Sequence, residues 1–287
     1  MANKIIICLV VCCCCNTSSA QPYLDLVSTS AQWAPNLVGY SNDKGANVLK
    51  KRNINVNAPV LLRDSSLIVI GGSLDFWKVG VMYVDTVNLN GITASATFVK
   101  PLTKKVSSAL SILARWNGSQ WFDFHKSNQV GGALLVTFKQ NINFKYRVGL
   151  YYNKEFFGSF LMPLGGIEWK INSKNIIYGV LPGNMTWENK VTKDFYWGLC
   201  FRAITTSYRN NPGSAPHQFI RINDNQVNSF ADVYLTKHLV LSGELGYSLF
   251  REVRTGETGR KVKYNPRHDM DDNLLLRIGL SFRFRTG

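Results

Sequence analysis

Polar and apolar residues alternate one by one along most of this chain. In the final segment Leu274, Leu276, Ile278, Leu280, Phe282 and Phe284 share one parity, while Asn273, Leu275, Arg277, Gly279, Ser281 and Arg283 take the other. Successive side chains of a strand point to opposite faces, so this segment predicts a strand with one wholly apolar face. The same period of two runs through Val106–Trp116, Val130–Phe138, Phe144–Tyr152, Phe195–Tyr208 and Leu239–Val253. No stretch sustains the helical period. Strands are also predicted over Leu24–Leu37, Val48–Leu62, Leu67–Tyr83, Ile92–Pro101, Phe160–Ile171, Ile176–Leu181, Met185–Val191, Phe219–Leu235 and Asn273–Phe284.

Six short polar turns separate these segments: Arg63-Asp64-Ser65, Thr103-Lys104-Lys105, Lys139-Gln140-Asn141, Ser173-Lys174-Asn175, Thr192-Lys193-Asp194 and Thr236-Lys237-His238. Each is flanked by apolar-patterned sequence, as hairpin turns are. Between them lie more variable connections at Gly39–Asn47, Asp85–Asn90, Gly118–Asn128, Tyr208–Pro216 and Arg254–Asp271. Short turns alternating with longer loops is the asymmetry of a transmembrane barrel, with the short ends in the periplasm. A soluble sandwich has no reason to sort its loops this way. The expected fold is therefore all-β: a closed antiparallel transmembrane β-barrel of about 14 strands. The count drops to 12 if Ile176–Val191, joined at Pro182-Gly183, forms a local hairpin that does not span. Gly71-Gly72 and Gly165-Gly166 read as strand bends or bulges. The tryptophans fall mostly near predicted strand ends, where an interfacial girdle explains them.

The N-terminus changes the setting. Lys4 precedes an apolar run from Ile5 to Cys15, and Ser18-Ser19-Ala20 supplies small residues before Gln21. Residues 1–20 are expected to be a secretory signal peptide cleaved near Ala20, too short to span as a helix. Residues 21–287 then form the barrel domain. Five of the six cysteines leave with the leader, so Cys200 remains without an intramolecular partner. The histidines are scattered, and no metal or cofactor is expected. Lysine and arginine number 33 against 18 acids, a formal charge of +15. In an exported protein this excess points to anionic lipid or an anion-favouring pore, not to nucleic acid.

Two resemblances sharpen this picture. The terminal phrase carrying Arg277, Gly279, Phe282 and Phe284 resembles the β-signal through which bacterial outer-membrane barrels are inserted. It implies the assembly machinery as a partner during insertion and outer-membrane lipid thereafter. Phe157-Gly158-Ser159-Phe160, Pro163-Leu164-Gly165-Gly166-Ile167-Glu168-Trp169, Gly179-Val180-Leu181-Pro182-Gly183-Asn184, Arg202-Ala203-Ile204-Thr205-Thr206-Ser207-Tyr208 and Ala231-Asp232-Val233-Tyr234-Leu235 are similar to an outer-membrane β-barrel family of unknown function. The likeness covers most of the chain after the leader, implies the fold and the outer membrane, and carries no activity with it.

The charged residues of the polar parity are the candidate functional groups. Arg115, Lys145, Arg147, Glu168, Lys170, Glu188, Lys190, Arg202, Asp232, Glu244, Arg277 and Arg283 are expected to face the lumen, which avoids about 2–4 kcal/mol for each Arg or Lys at the lipid midplane. They either line an open, anion-preferring pore or pair off inside a closed lumen. A passive pore or structural barrel is the leading reading, and no enzymatic activity is expected. Two alternatives stand beside it. His125 and Ser127, two residues apart, suit a barrel-wall lipid hydrolase if a third group orients the histidine. Arg254–Arg260 suits adhesion or complex assembly. Oligomeric state is not legible from the sequence.

Overall fold

The computed structural model describes residues 22–34, 49–81, 84–119, 127–210, 218–257, 263–264, 268–269 and 272–285. The predicted leader, His125 and Asp271 lie outside them.

The alternating segments become β1 (Tyr23–Ala34), β2 (Leu49–Leu61), β3 (Leu67–Val81), β4 (Val84–Pro101), β5 (Val106–Gly118), β6 (Asn128–Lys139), β7 (Phe144–Glu155) and β8 (Gly158–Lys170). They continue as β9 (Asn175–Leu181), β10 (Asn184–Lys190), β11 (Phe195–Asn210), β12 (Gln218–Tyr234) and β13 (Leu239–Glu257). The two-residue strands β14 (Lys263–Tyr264) and β15 (His268–Asp269) pair with β13 near its end, and β16 (Leu274–Arg285) completes the chain. Consecutive strands pair antiparallel from β1 to β13, and β16 lies between β13 and β1. The sheet therefore closes on itself. Leaving aside the two short pieces, it is a 14-stranded barrel with no free lateral edge along most of its height.

Its outer face is the apolar parity. Leu110, Ile112, Leu134, Leu150, Leu161, Leu245 and Ile278 are all exposed large hydrophobics. At the short-turn end aromatics gather in a band: Phe138 stacks on Tyr146 at 5.0 Å, Trp187 meets Trp197 edge-on at 5.1 Å, and Phe282 and Phe284 pack together beside His238.

Three expectations need correction. Asp85–Asn90 is not a loop but the first part of β4. Polar composition there mimics a loop, yet Val87–Asn90 pair with Phe76–Val79 in regular register, a shift following between Val79 and Val81. Of the bends or bulges expected at Gly71-Gly72 and Gly165-Gly166, the bulge is excluded, because neither pair shows a register shift. Gly166 instead makes room for its neighbour, since a Cβ there would lie 2.6 Å from the Gly179 carbonyl oxygen. Trp77 is no girdle residue: it faces inward and is 3% exposed.

The doubtful pair β9 and β10 does belong to the wall, paired to each other and to β8 and β11. Each has seven residues against 13 in β8 and 16 in β11. The wall is therefore low at this one place.

Candidate functional site

The interior holds a polar chamber toward the short turns and, toward the loops, an apolar cluster flanked by buried polar groups. The chamber has a volume of about 290 Å³. Its walls carry Asp25, Arg202, Asp232, Glu244, Arg277 and Arg283 with Ser28, Ser30, Asn53, Asn55 and Cys200.

Most of the expected lumen charges are inside and in pairs. Arg202 makes a two-pronged contact with Glu244, at 2.5 and 2.8 Å, and Arg277 lies 3.9 Å from the same carboxylate. Arg283 donates to Asp25 at 2.6 and 3.1 Å and to Asp232 at 2.5 Å, with its guanidinium 3.6 Å from the Tyr23 ring. Glu168 accepts from Lys145 at 2.9 Å and from Arg147 at 2.8 Å. Arg115 reaches Glu155 at 3.3 Å and the Tyr151 hydroxyl at 3.0 Å. Glu188 pairs with Arg285 at 2.8 and 3.0 Å. Lys170 and Lys190 differ from the rest: they close β8 and β10 at the short-turn rim and are exposed. Buried pairs of this kind chiefly avoid the penalty of an uncompensated charge.

Above the chamber an apolar cluster stands beside buried polar groups, among them Glu155 and the Asp224–Arg251 pair. Ala34, Leu49, Trp77, Val79, Leu89, Tyr208, Ile220, Ile222, Val253 and Leu275 form one buried cluster drawn from the loop-side ends of their strands. Tyr208 belongs to it because the end of β11, still paired with β12, reaches β5. Beyond Arg202, β11 has outrun β10 and its next edge groups need other partners. It finds them across the lumen. The Ser207 carbonyl accepts from Asn117 Nδ2 at 3.1 Å, and the Arg209 carbonyl accepts from the Ser119 N–H at 2.8 Å. Arg209 also bridges to Gly118 in parallel.

Glu155 fixes this crossing. Its carboxylate accepts from Ser207 Oγ at 2.5 Å, Gln129 Nε2 at 2.9 Å and Arg115, which ties β5, β6, β7 and β11 together. Sequence reasoning missed Glu155, Ser207, Gln129 and Asn117. Glu155 stands next to the two-residue Phe156-Phe157 turn, beyond the predicted Phe144–Tyr152 segment; alternation carried three residues past Tyr152 would have put it on the inner face. Ser127, the proposed nucleophile, is 5% exposed, and its carbonyl accepts from the Asn117 N–H.

The family described as Domain of unknown function (DUF6268) matches residues 83–283. The chain belongs to that family. Among proteins of curated function none matches this DUF6268 chain. Solved structures similar to the DUF6268 barrel include the NanC porin, at 9% identity and a TM-score of 0.43 over 89% of this chain and 98% of that one. A bacterial polysaccharide outer membrane secretin gives 9% identity and 0.40 over 90% and 98%. The TodX monoaromatic hydrocarbon channel deltaS2 mutant gives 11% and 0.35 over 92% and 89%.

Proposed function

We propose that this DUF6268 barrel sits in the bacterial outer membrane as a passive conduit, shut at rest toward its loop end. The observation that carries the reading is the inversion of polarity across the wall: exposed hydrophobics outside, and a paired polar chamber capped by an apolar cluster and buried polar groups inside. A water-filled pore needs a continuous wet path, and at the loop end the Tyr208–Trp77 cluster and the buried, mutually bonded polar groups beside it leave none among the described residues. Because Glu244, Asp232, Asp25 and Glu168 each neutralise a neighbouring cation, the basic lumen read from composition reduces to a weak anion preference. Outer-membrane lipid is the partner of the outer face, and the assembly machinery reads Arg277, Gly279, Phe282 and Phe284.

The test is conductance of the refolded chain lacking residues 1–20 in a planar bilayer under a salt gradient. The expected result is little steady current from the native barrel, and larger, mildly anion-selective steps from a Trp77→Ala/Tyr208→Ala double variant. A wide, steady native conductance would overturn the resting closure. The hydrolase reading draws no comparable support, since Ser127 is buried in the β5–β6 contact.

A further inference from the structure

Above the short strands β9 and β10, β8 and β11 each run on without the strand partner they have below, among the described residues. On one side β8 pairs with β9 only from Gly165 to Lys170, so among the described residues Gly158–Leu164 has β7 as its sole strand neighbour. On the other side β11 pairs with β10 only up to Arg202, with one further bond from the Ala203 N–H to the Gly183 carbonyl at 2.9 Å. β8 and β11 do not pair with each other. The gap has the Pro182-Gly183 turn as its sill. Its far end is closed where the Phe156 N–H donates to Ser207 Oγ at 3.0 Å and Arg221 lies over the Phe157 ring at 4.2 Å.

What can occupy such a gap follows from the hydrogen bonds its rims offer. The Lys170 N–H points to β7, accepted by the Asn143 carbonyl, so even positions of β8 face β7 and odd positions face the gap. The open positions are Ser159, Leu161 and Pro163, and Pro163 has no N–H to leave unpaired. On β11 the Ala203 bond fixes odd positions toward the gap. Of these, the Ser207 and Arg209 carbonyls are already taken by Asn117 and Ser119. An added strand from another chain would find no continuous row of donors and acceptors. Hydrocarbon makes no such demand. Behind the rim stand Phe160, Met162 and Leu164, half-buried on the inner parity of β8, with Tyr151 edge-on to Phe160 at 6.4 Å. Arg202, at the sill, also lines the chamber.

We infer that the gap between β8 and β11 is a lateral portal through which the hydrocarbon chain of a membrane-dissolved molecule enters the barrel from the bilayer. Its apolar part lies against Phe160, Met162 and Leu164, and any polar head reaches the chamber beside Arg202. Since the apolar cluster and the polar groups beside it block the axial route at the loop end, the portal gives the chamber a second way out. The inference rests on the membrane-spanning reading proposed above.

The test uses single cysteines labelled with NBD in a Cys200→Ser background, refolded into vesicles whose lipid acyl chains carry a nitroxide quencher. Met162→Cys and Phe160→Cys report the portal. Leu161→Cys, on the outer face, reports membrane contact, and Leu135→Cys reports an inner face behind fully paired strands. Heat-modifiable gel mobility checks that each variant is folded. Quenching at positions 160 and 162 comparable to that at 161, and several-fold above that at 135, is the expected result. Quenching at 161 with none at 160 and 162 would overturn the portal and leave the membrane barrel standing. Absence of quenching at 161 would overturn both.

Discussion

Single residues of this barrel are held by charge pairing inside and by turn chemistry outside. Glu168 neutralises both Lys145 and Arg147, and the Arg147 side chain is wholly buried. Glu168→Ala should therefore destabilise the barrel by about 3–5 kcal/mol, the range for stranding a buried charge, as read from urea unfolding in lipid. A much smaller loss would mean that water replaces the carboxylate. In the β2–β3 turn, Asp64 accepts from the Ser66 N–H at 3.1 Å and from its hydroxyl at 2.9 Å. These bonds hold its carboxyl below the ordinary 3.8. The contribution of this turn is thus complete above that value and is lost as pH falls through the depressed one. Ser66→Ala should move the Asp64 midpoint, followed by its carboxyl carbon resonance, back up; an unmoved midpoint would refute the cause. The neighbouring Ser65 adopts a φ of 64°, so Ser65→Gly should stabilise by about 1 kcal/mol in the same unfolding assay.

At the scale of elements, β16 illustrates how strongly alternation fixes a strand. Its apolar parity is exposed from Leu274 to Phe282, while Leu275, Ser281 and Arg283 are buried. A one-residue slip against β1 would turn Arg283 outward, away from Asp25. Ile278→Arg is expected to cost about 2–4 kcal/mol if that position lies near the bilayer midplane, measured by equilibrium unfolding in vesicles. A neutral result would place it at the rim. Element boundaries were less legible than elements. Asp85, Asn88 and Asn90 carry the composition of a loop and lie in β4, because a strand reaching beyond the apolar belt has no need of apolar residues. The brevity of β9 and β10 could be read from the spacing of Pro182-Gly183, but whether they joined the wall could not. That depended on β8 and β11 offering edges in register.

For the molecule as a whole, the crossing of β11 matters most. Glu155→Gln weakens the carboxylate that gathers Ser207, Gln129 and Arg115, so single-channel traces of this variant should show brief openings that the native barrel lacks. Traces identical to native would assign closure to the Tyr208 core alone. What the sequence determined by itself was local: which residues alternate, where turns fall, which face is apolar, and hence an antiparallel barrel, with 12 or 14 strands left open. Face and turn depend on neighbours one or two residues away, so they are written in order along the chain. What only the tertiary structure decided was long-range. Asp25 meets Arg283 across 258 positions, and Ser207 meets Asn117 across 90. Such contacts depend on closure and register, which a pattern of period two leaves open. The reach of β11 to β5, the shut core and the gap beside β8 all follow from one length mismatch, since backbone groups past the end of β10 must find partners where the fold brings them.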